Sequence, residues 1–528
     1  MQDLSEPRPT THSEVHVRRL LLAVCIGALC WWLGRFLPFP TGKDPTAACR
    51  LLFVAGLTAS CWLLAAMPIA AASLLPLALL PLLGVESTAK LTAGYGDPIL
   101  WLFGGGFVLA MAVERCSLHR RLALRAVAML GPYPRRLVLG FFLVATCISM
   151  WINNTSVALL LLPIGTALVS RMKALGELAP RAQSNFGAGI MCAIAFGASI
   201  GGMGTPIGTA PNAIFFAAYD PLVQAGARPV SFLTWTLAFA PCTLLLALLS
   251  SFVVVRFALP LPGQRLGQGD ELLREARELG RWSKAEKRTA ALFGFAVLLW
   301  ITRADMHLGA GEVLHGWADW LVPAGESDRY VSDGTVAVLV AILAFLIPSG
   351  SADGRRLVDW ETVRQMPFDL LLLLGGGIAM AAAFGPTGLS AAFGELLRPW
   401  IGATHPALLL LCLILAITLL SEFASNTAVA TMLMPILRDG AVGARIDPLV
   451  LMLPAVLASS CGFMLPIATP PNTIVFASRQ ITFGQMARAG VCIDLLAAIV
   501  LVPVLWWWAF PLLGVDPAAL AAGARGGK

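Results

Sequence analysis

The chain is short of charge. Only 13% of its 528 residues are Asp, Glu, Lys or Arg, about half the ~25% usual in a soluble protein. It is also poor in Tyr and His, with 4 and 6 of them. The 11 Cys show no C-x-x-C or metal-ligand spacing, which argues against a zinc site or a redox motif. Cys25, Cys147, Cys192 and Cys412 lie inside apolar runs, where a free thiol behaves as a small hydrophobe. No disulfide framework is expected. There is no HExxH, no GxSxG and no Cys–His pair of plausible geometry, so the sequence does not read as an enzyme. No His lies deep in an expected helix, which argues against a His proton relay.

What the chain does have is hydrophobicity: 58% of its residues are hydrophobic and its mean hydropathy is +0.79. Apolar runs such as Leu20–Leu37, Phe232–Leu259 and Ala489–Leu513 approach or exceed the roughly 20 residues that span a bilayer. Short alternating strands of the barrel type are missing. The expected class is an all-α polytopic membrane protein. The net charge of +7 is not a nucleic-acid signature, because the basic residues fall in loops between spans. Arg265–Arg288 holds seven Lys/Arg and reads as cytoplasmic, whereas Ala304–Asp333 holds six acids against Arg329 and reads as external. The polar start and poor cleavage signal make Leu20–Leu37 a retained helix rather than a signal peptide. The compact loops suggest a bacterial inner (plasma) membrane.

An internal repeat runs through the chain. Ala145–Ile164 aligns with Ile417–Ile436 at an offset of 272, with nine of 20 positions identical. Pro206–Ala217 aligns with Pro466–Ala477 at an offset of 260, with eight of 12 identical. "FGGG" at Phe103–Gly106 answers "LGGG" at Leu374–Gly377, a pattern read as close helix packing. The three pairs occur in the same order in each half. Arg135, Arg136, Arg171 and Lys173 flank the first polar tip, which puts both ends of that segment on the cytoplasmic side. Counting spans from the acidic external loop puts the second copy on the other face, so the repeats are expected to be inverted, as in secondary transporters. The expected division is a tail and first helix over 1–47, a first repeat over 48–260, a cytoplasmic linker over 261–288, a second repeat over 289–513 and a tail over 514–528. Re-entrant hairpins fall at 135–170 and 403–440, and broken helices at 184–218 and 448–478. A single helix is expected over 67–84, and amphipathic surface helices near 118–131 and 388–400.

Four polar places interrupt the apolar pattern. Two are the hairpin tips, Asn153–Thr155 and Ser425–Thr427. Two are the Gly/Pro-broken loops, Gly204–Asn212 and Leu465–Asn472. Irregular backbone at membrane depth persists only where protein buries it or a cavity needs it. A lone Asn-Thr would ordinarily bond a neighbouring helix; two matched copies, each with a matched broken loop, point to a ligand site. Unwound carbonyls suit a hard cation, and half-helix N-termini suit an anion. No Lys or Arg lies between Leu137 and Ser170 or between Gly402 and Leu437, so helix ends, amides, hydroxyls or co-bound cations must balance an anion there. Glu422, the one charged residue between Gly402 and Leu437, reads equally as a proton or ion site and as a buried structural acid. Asp369 and Asp494 read as helix-end or interface residues.

The twin Asn-Thr tips followed by Pro-Ile, with "PIGTAPN" and "LPIATPPN", resemble the divalent anion–sodium symporter family from about residue 48 to 512. The resemblance implies an elevator-type homodimer that carries dicarboxylates such as succinate, or citrate or sulfate, together with Na+. It implies one Na+ site at Ser149, Asn153, Asn154 and Gly208, and another at Ser421, Ala424, Asn426 and Ala468. It implies that the anion meets Asn154, Thr155, Asn426, Thr427, Thr209 and Thr469. The first tip departs from the usual Ser-Asn-Thr by having Asn153, which is larger and brings an NH2 donor. The leading reading is Na+-coupled import of C4-dicarboxylates. A sodium-independent exchanger and a sulfate or citrate transporter are the alternatives within transport. A channel would need no paired broken loops.

Overall fold

A computed structural model describes the chain apart from residues 1–15, 40–44, most of 120–132, 265–279, 304–305, 308–312, 323–329, 352–353, most of 390–404, and 517–528. The expected surface helices and most of the linker and tails lie outside the described residues.

The first half begins with α1 (Val17–Gly34) and α2 (Pro45–Leu63), then the short α3 (Ile69–Ala72), α4 (Leu75–Leu82) and α5 (Thr88–Gly94), and α6 (Pro98–Arg115). The single helix expected over 67–84 is therefore two pieces. Pro68 precedes α3, Pro76 opens α4, and the Tyr95 hydroxyl donates to the Ser73 carbonyl at the break (2.6 Å). The hairpin follows as α7 (Pro134–Ser149) and α8 (Asn154–Leu175), the broken helix as α9 (Pro180–Gly202) and α10 (Ala210–Gln224), then α11 (Phe232–Val253).

The second half again ends in a helix pair, a broken helix and a closing helix. It has α12 (Lys284–Ile301), α13 (Asp333–Leu346), α14 (Trp360–Val363) and α15 (Phe368–Ala382). The hairpin is α16 (Pro406–Phe423) with α17 (Asn426–Gly443), and the broken helix is α18 (Leu449–Ser459) with α19 (Pro470–Ala477). α20 (Phe483–Val504) closes the series. The acidic segment between α12 and α13 departs from an all-helical reading: Met306–His307 pairs antiparallel with Val313–Leu314.

Local chemistry sets these boundaries. Pro opens α6, α7, α9 and α16, where its missing N–H costs nothing. Reciprocal capping boxes start α11 (Ser231/Thr234), α12 (Ser283/Glu286), α13 (Ser332/Thr335) and α20 (Thr482/Gln485), each cap contributing about 1 kcal/mol. Among the described residues, eight helical stretches are long and apolar enough to cross a membrane.

Two apolar cores result. One gathers α1–α5 with much of α15; the other gathers most of the residues of α6–α14 and α16–α20. Within the larger core α9 is buried from Phe186 to Gly202. Gly197 lies against Phe142 and Ala145, and Gly201 against the Thr146 carbonyl, so the hairpin arm α7 packs directly on its backbone.

Candidate anion and cation site

Four helix beginnings meet at one cavity. At the first tip α8 starts behind Asn153, whose Oδ1 accepts the Thr155 N–H (2.8 Å). At the second, α17 starts behind Ser425, which makes no side-chain cap bond. α10 starts behind Thr209, and α19 behind Thr469, whose Oγ1 accepts the Asn472 N–H (3.3 Å). The cavity holds about 230 Å³ and is lined by all six expected anion contacts: Asn154, Thr155, Thr209, Asn426, Thr427 and Thr469. Asn153, Gly208 and Ala468 line it as well, and among the described residues no charged side chain does. A helix N-terminus carries roughly half a positive charge, so four of them at one cavity favour negative charge there without Lys or Arg. The volume is below the ~300–1,000 Å³ of drug-sized pockets and suits a small anion.

Behind each tip lies a group of oxygens. Ser149 Oγ donates to Asn154 Oδ1 (2.7 Å). A Cβ on Gly202 would stand 2.7 Å from that same Oδ1, and Gly208 backs onto the Gly202 carbonyl. Ser421 Oγ donates to the Ser459 carbonyl (3.0 Å). A Cβ on Gly462 would stand 3.3 Å from the Ser421 carbonyl and 3.6 Å from Asn426 Oδ1. Asn426 Oδ1 is buried and accepts no hydrogen bond among the described residues, which leaves it free to meet a ligand or a water. Oxygen-only donors of this kind fit a hard cation such as Na+. Ala424 sits buried between α16 and α17, off the cavity wall.

Sequence reasoning missed several groups. Asn212 Nδ2 donates to the Gly202 and Thr205 carbonyls (2.9 and 2.8 Å). Asn472 Nδ2 donates to the Gly462 and Leu465 carbonyls (2.9 and 3.0 Å). These matched amides tie each broken loop to itself. Their equivalence was visible in the repeat, but their role was not. Trp62, Phe103, Phe107, Leu370 and Leu373 form the apolar wall and carried no sequence signal. Arg438, one residue beyond the stretch free of Lys and Arg, is buried, pairs with Asp439 (2.6 Å) and donates to the Ala218 and Ala381 carbonyls. It does not line the cavity.

The acids resolve differently. Asp369 stands in the first turn of α15, a helix end as expected. Glu422 accepts the Met464 and Leu465 N–H groups (2.8 and 2.9 Å), the structural partnership that was one of its two readings. Asp494 is not a helix-end residue: it lies in mid-α20 and is 6% exposed. Its position reflects the side of α20 that packs inward, which a nearly uniformly apolar helix does not advertise.

Residues 14–515 match the family described as the sodium:sulfate symporter transmembrane region. The chain belongs to this family. It is therefore a multi-pass membrane transporter rather than an enzyme, and Na+ is its co-transported ion. The chain is 36% identical over 472 residues to the sodium-dependent dicarboxylate transporter SdcS of Staphylococcus saprophyticus, covering 88% of this chain and 87% of that protein. It is 34% identical over 505 residues to the SdcS of Staphylococcus aureus, covering 94% and 92%. Among solved structures, the Alcanivorax borkumensis YdaH transporter superposes with a TM-score of 0.54 at 16% identity, over 94% of this chain and 98% of that one. That likeness concerns the fold.

Proposed function

We propose that the protein imports C4-dicarboxylates such as succinate, coupled to Na+, by an elevator movement of inverted repeats in a homodimer. The observation that carries this reading is the convergence of four helix N-termini on one small cavity without a basic side chain. The anion lies between Asn154–Thr155 and Asn426–Thr427, with Thr209 and Thr469 completing its contacts. One Na+ takes Ser149, Asn153, Asn154 and Gly208, the other Ser421, Ala424, Asn426 and Ala468, several through backbone carbonyls. Bound cations then offset an anion charge that dipoles alone hold only partly. The elevator finds support in the cavity's place between the two cores, since Trp62 and Leu373 belong to one and Phe103 to the other.

The test is uptake of labelled succinate by proteoliposomes with and without an inward Na+ gradient. Accumulation that requires the gradient is the expected result. Uptake that ignores Na+ but needs internal dicarboxylate would identify an exchanger. Sulfate and citrate run as parallel substrates; uptake of either in place of succinate would reassign the anion.

A further inference from the structure

The break between α3 and α4 interrupts an apolar segment at a buried residue, Ser73. Three hydrogen bonds meet there. The Trp62 Nε1–H donates to Ser73 Oγ (3.1 Å). Ser73 Oγ in turn donates to the Ile69 carbonyl (2.6 Å), and the Tyr95 hydroxyl donates to the Ser73 carbonyl (2.6 Å). From behind, Gly375 of α15 packs on the Tyr95 ring and Gly376 on the Ser73 carbonyl, each so closely that an added Cβ would collide. Irregular backbone in such a segment persists where protein buries it or a cavity needs it. The side chain this break holds in place is Trp62, which is buried and lines the anion cavity.

The cavity has two unlike sides. The tips and broken loops bring amides, hydroxyls and helix starts to one. Trp62, Ile69, Leu370 and Leu373, all of the smaller core, bring only carbon to the other. Trp62 could have offered a donor, but its N–H is spent on Ser73, which does not line the cavity. A carboxylate pressed against this side would lose its water and gain no partner, which is costly. The carboxylates of a bound anion therefore belong at the helix starts, and its carbon chain meets the indole. That ring cannot swing aside without stranding a buried N–H.

We propose that Trp62 is a specificity-determining residue that limits the length of the transported anion. Held by Ser73, its indole closes the cavity of about 230 Å³ over a four-carbon dicarboxylate. A chain longer by one methylene meets the ring, and a third carboxyl meets a side without donors. This takes the dicarboxylate class from the proposed function and adds the residue that sets the upper size. Because Trp62 touches carbon and not charge, shortening it should leave succinate uptake in place while longer anions gain entry. One methylene against a rigid apolar pocket is worth about tenfold or more in discrimination.

Competition by unlabelled succinate, glutarate and citrate against labelled succinate, in proteoliposomes of the full chain, tests it. The wild type should need about tenfold more glutarate than succinate for half-inhibition, and Trp62→Ala should bring the two to about the same concentration. Glutarate or citrate competing as well as succinate in the wild type would overturn the limit. So would an unchanged ratio in a Trp62→Ala protein that still takes up succinate, since a merely structural Trp62 lowers uptake without reordering the competitors. Should Trp62→Ala give no uptake, Trp62→Phe decides. It keeps a ring in the core but gives up part of the indole, so the ratio should narrow by about threefold, and an unchanged ratio would again overturn the proposal. If the wild type takes sulfate and no dicarboxylate, the proposed substrate fails by itself. Trp62 is then judged by whether Trp62→Ala or Trp62→Phe gains succinate uptake, and no gain in either would overturn its role.

Discussion

The two broken loops are fastened to their hairpins at equivalent points by opposite chemistry. In the first half the loop supplies a side-chain donor: Thr205 Oγ1 donates to the Met150 carbonyl. In the second half the loop supplies backbone donors and the hairpin a carboxylate: Met464 and Leu465 N–H to Glu422. The helix before each loop differs too, 23 residues in α9 against 11 in α18. What is common to the halves is the set of helix ends and the Asn staples. A repeat thus preserves the position of a joint and the polar groups that face the cavity, while the means of fastening drifts. The tips differ in the same sense. Asn153 caps its own helix, whereas Ser425 leaves the first turn of α17 without a side-chain cap.

The largest effect should come from the residues the halves share. Asn154→Ala and Asn426→Ala each remove a contact to a charged ligand worth about 1.5–3 kcal/mol, so uptake should fall about 10–100-fold or more in either. Folding should suffer less in Asn426→Ala, whose Oδ1 has no protein partner, than in Asn154→Ala, which loses the Ser149 bond. Normal uptake in either variant would remove the shared-site reading. Next come the staples. Asn212→Ala and Asn472→Ala each strand two carbonyls and should cost about 1–3 kcal/mol in thermal unfolding, with transport lost together with stability. A large asymmetry between them would show that only one loop depends on its amide.

The fastening pair tests the difference directly. Glu422→Gln weakens two charge-assisted bonds and should lower unfolding stability by about 1.5–3 kcal/mol, while Thr205→Val removes one neutral bond, about 1 kcal/mol. Equal losses in matched unfolding experiments would mean that the charge adds nothing to the joint. The smallest change is Asn153→Ser, which restores at the first tip the residue found at the second. It keeps a capping oxygen, and uptake should persist; a well-expressed Asn153→Ser protein without uptake would make the larger amide essential.

The hairpins, the broken helices and the four polar places were legible in the sequence because amides, hydroxyls and prolines stand out against an apolar background. All six expected anion contacts do line the cavity. The aromatic wall was not legible, since Phe103 and Phe107 read like any other residues of an apolar helix. Nor was the partner of Glu422 or the inward face of Asp494. The first depends on how α16 meets the loop and the second on how α20 rotates against it, and a mostly apolar helix hardly records its rotation. The break in the helix expected over 67–84 was hidden because Pro68 and Pro76 looked compatible with one apolar run.

The burial of α9 has a consequence for how this sequence can change over generations. Along that helix Gly197 and Gly201 already touch the backbone of α7, so even an added methyl group must displace main chain, a strain that interiors resist. Random substitution there will be purged, whereas α1, with most of its surface turned outward, can exchange one apolar residue for another. Divergence within the chain is thereby channelled to its periphery, away from the helix that ends against Asn154 and Thr209.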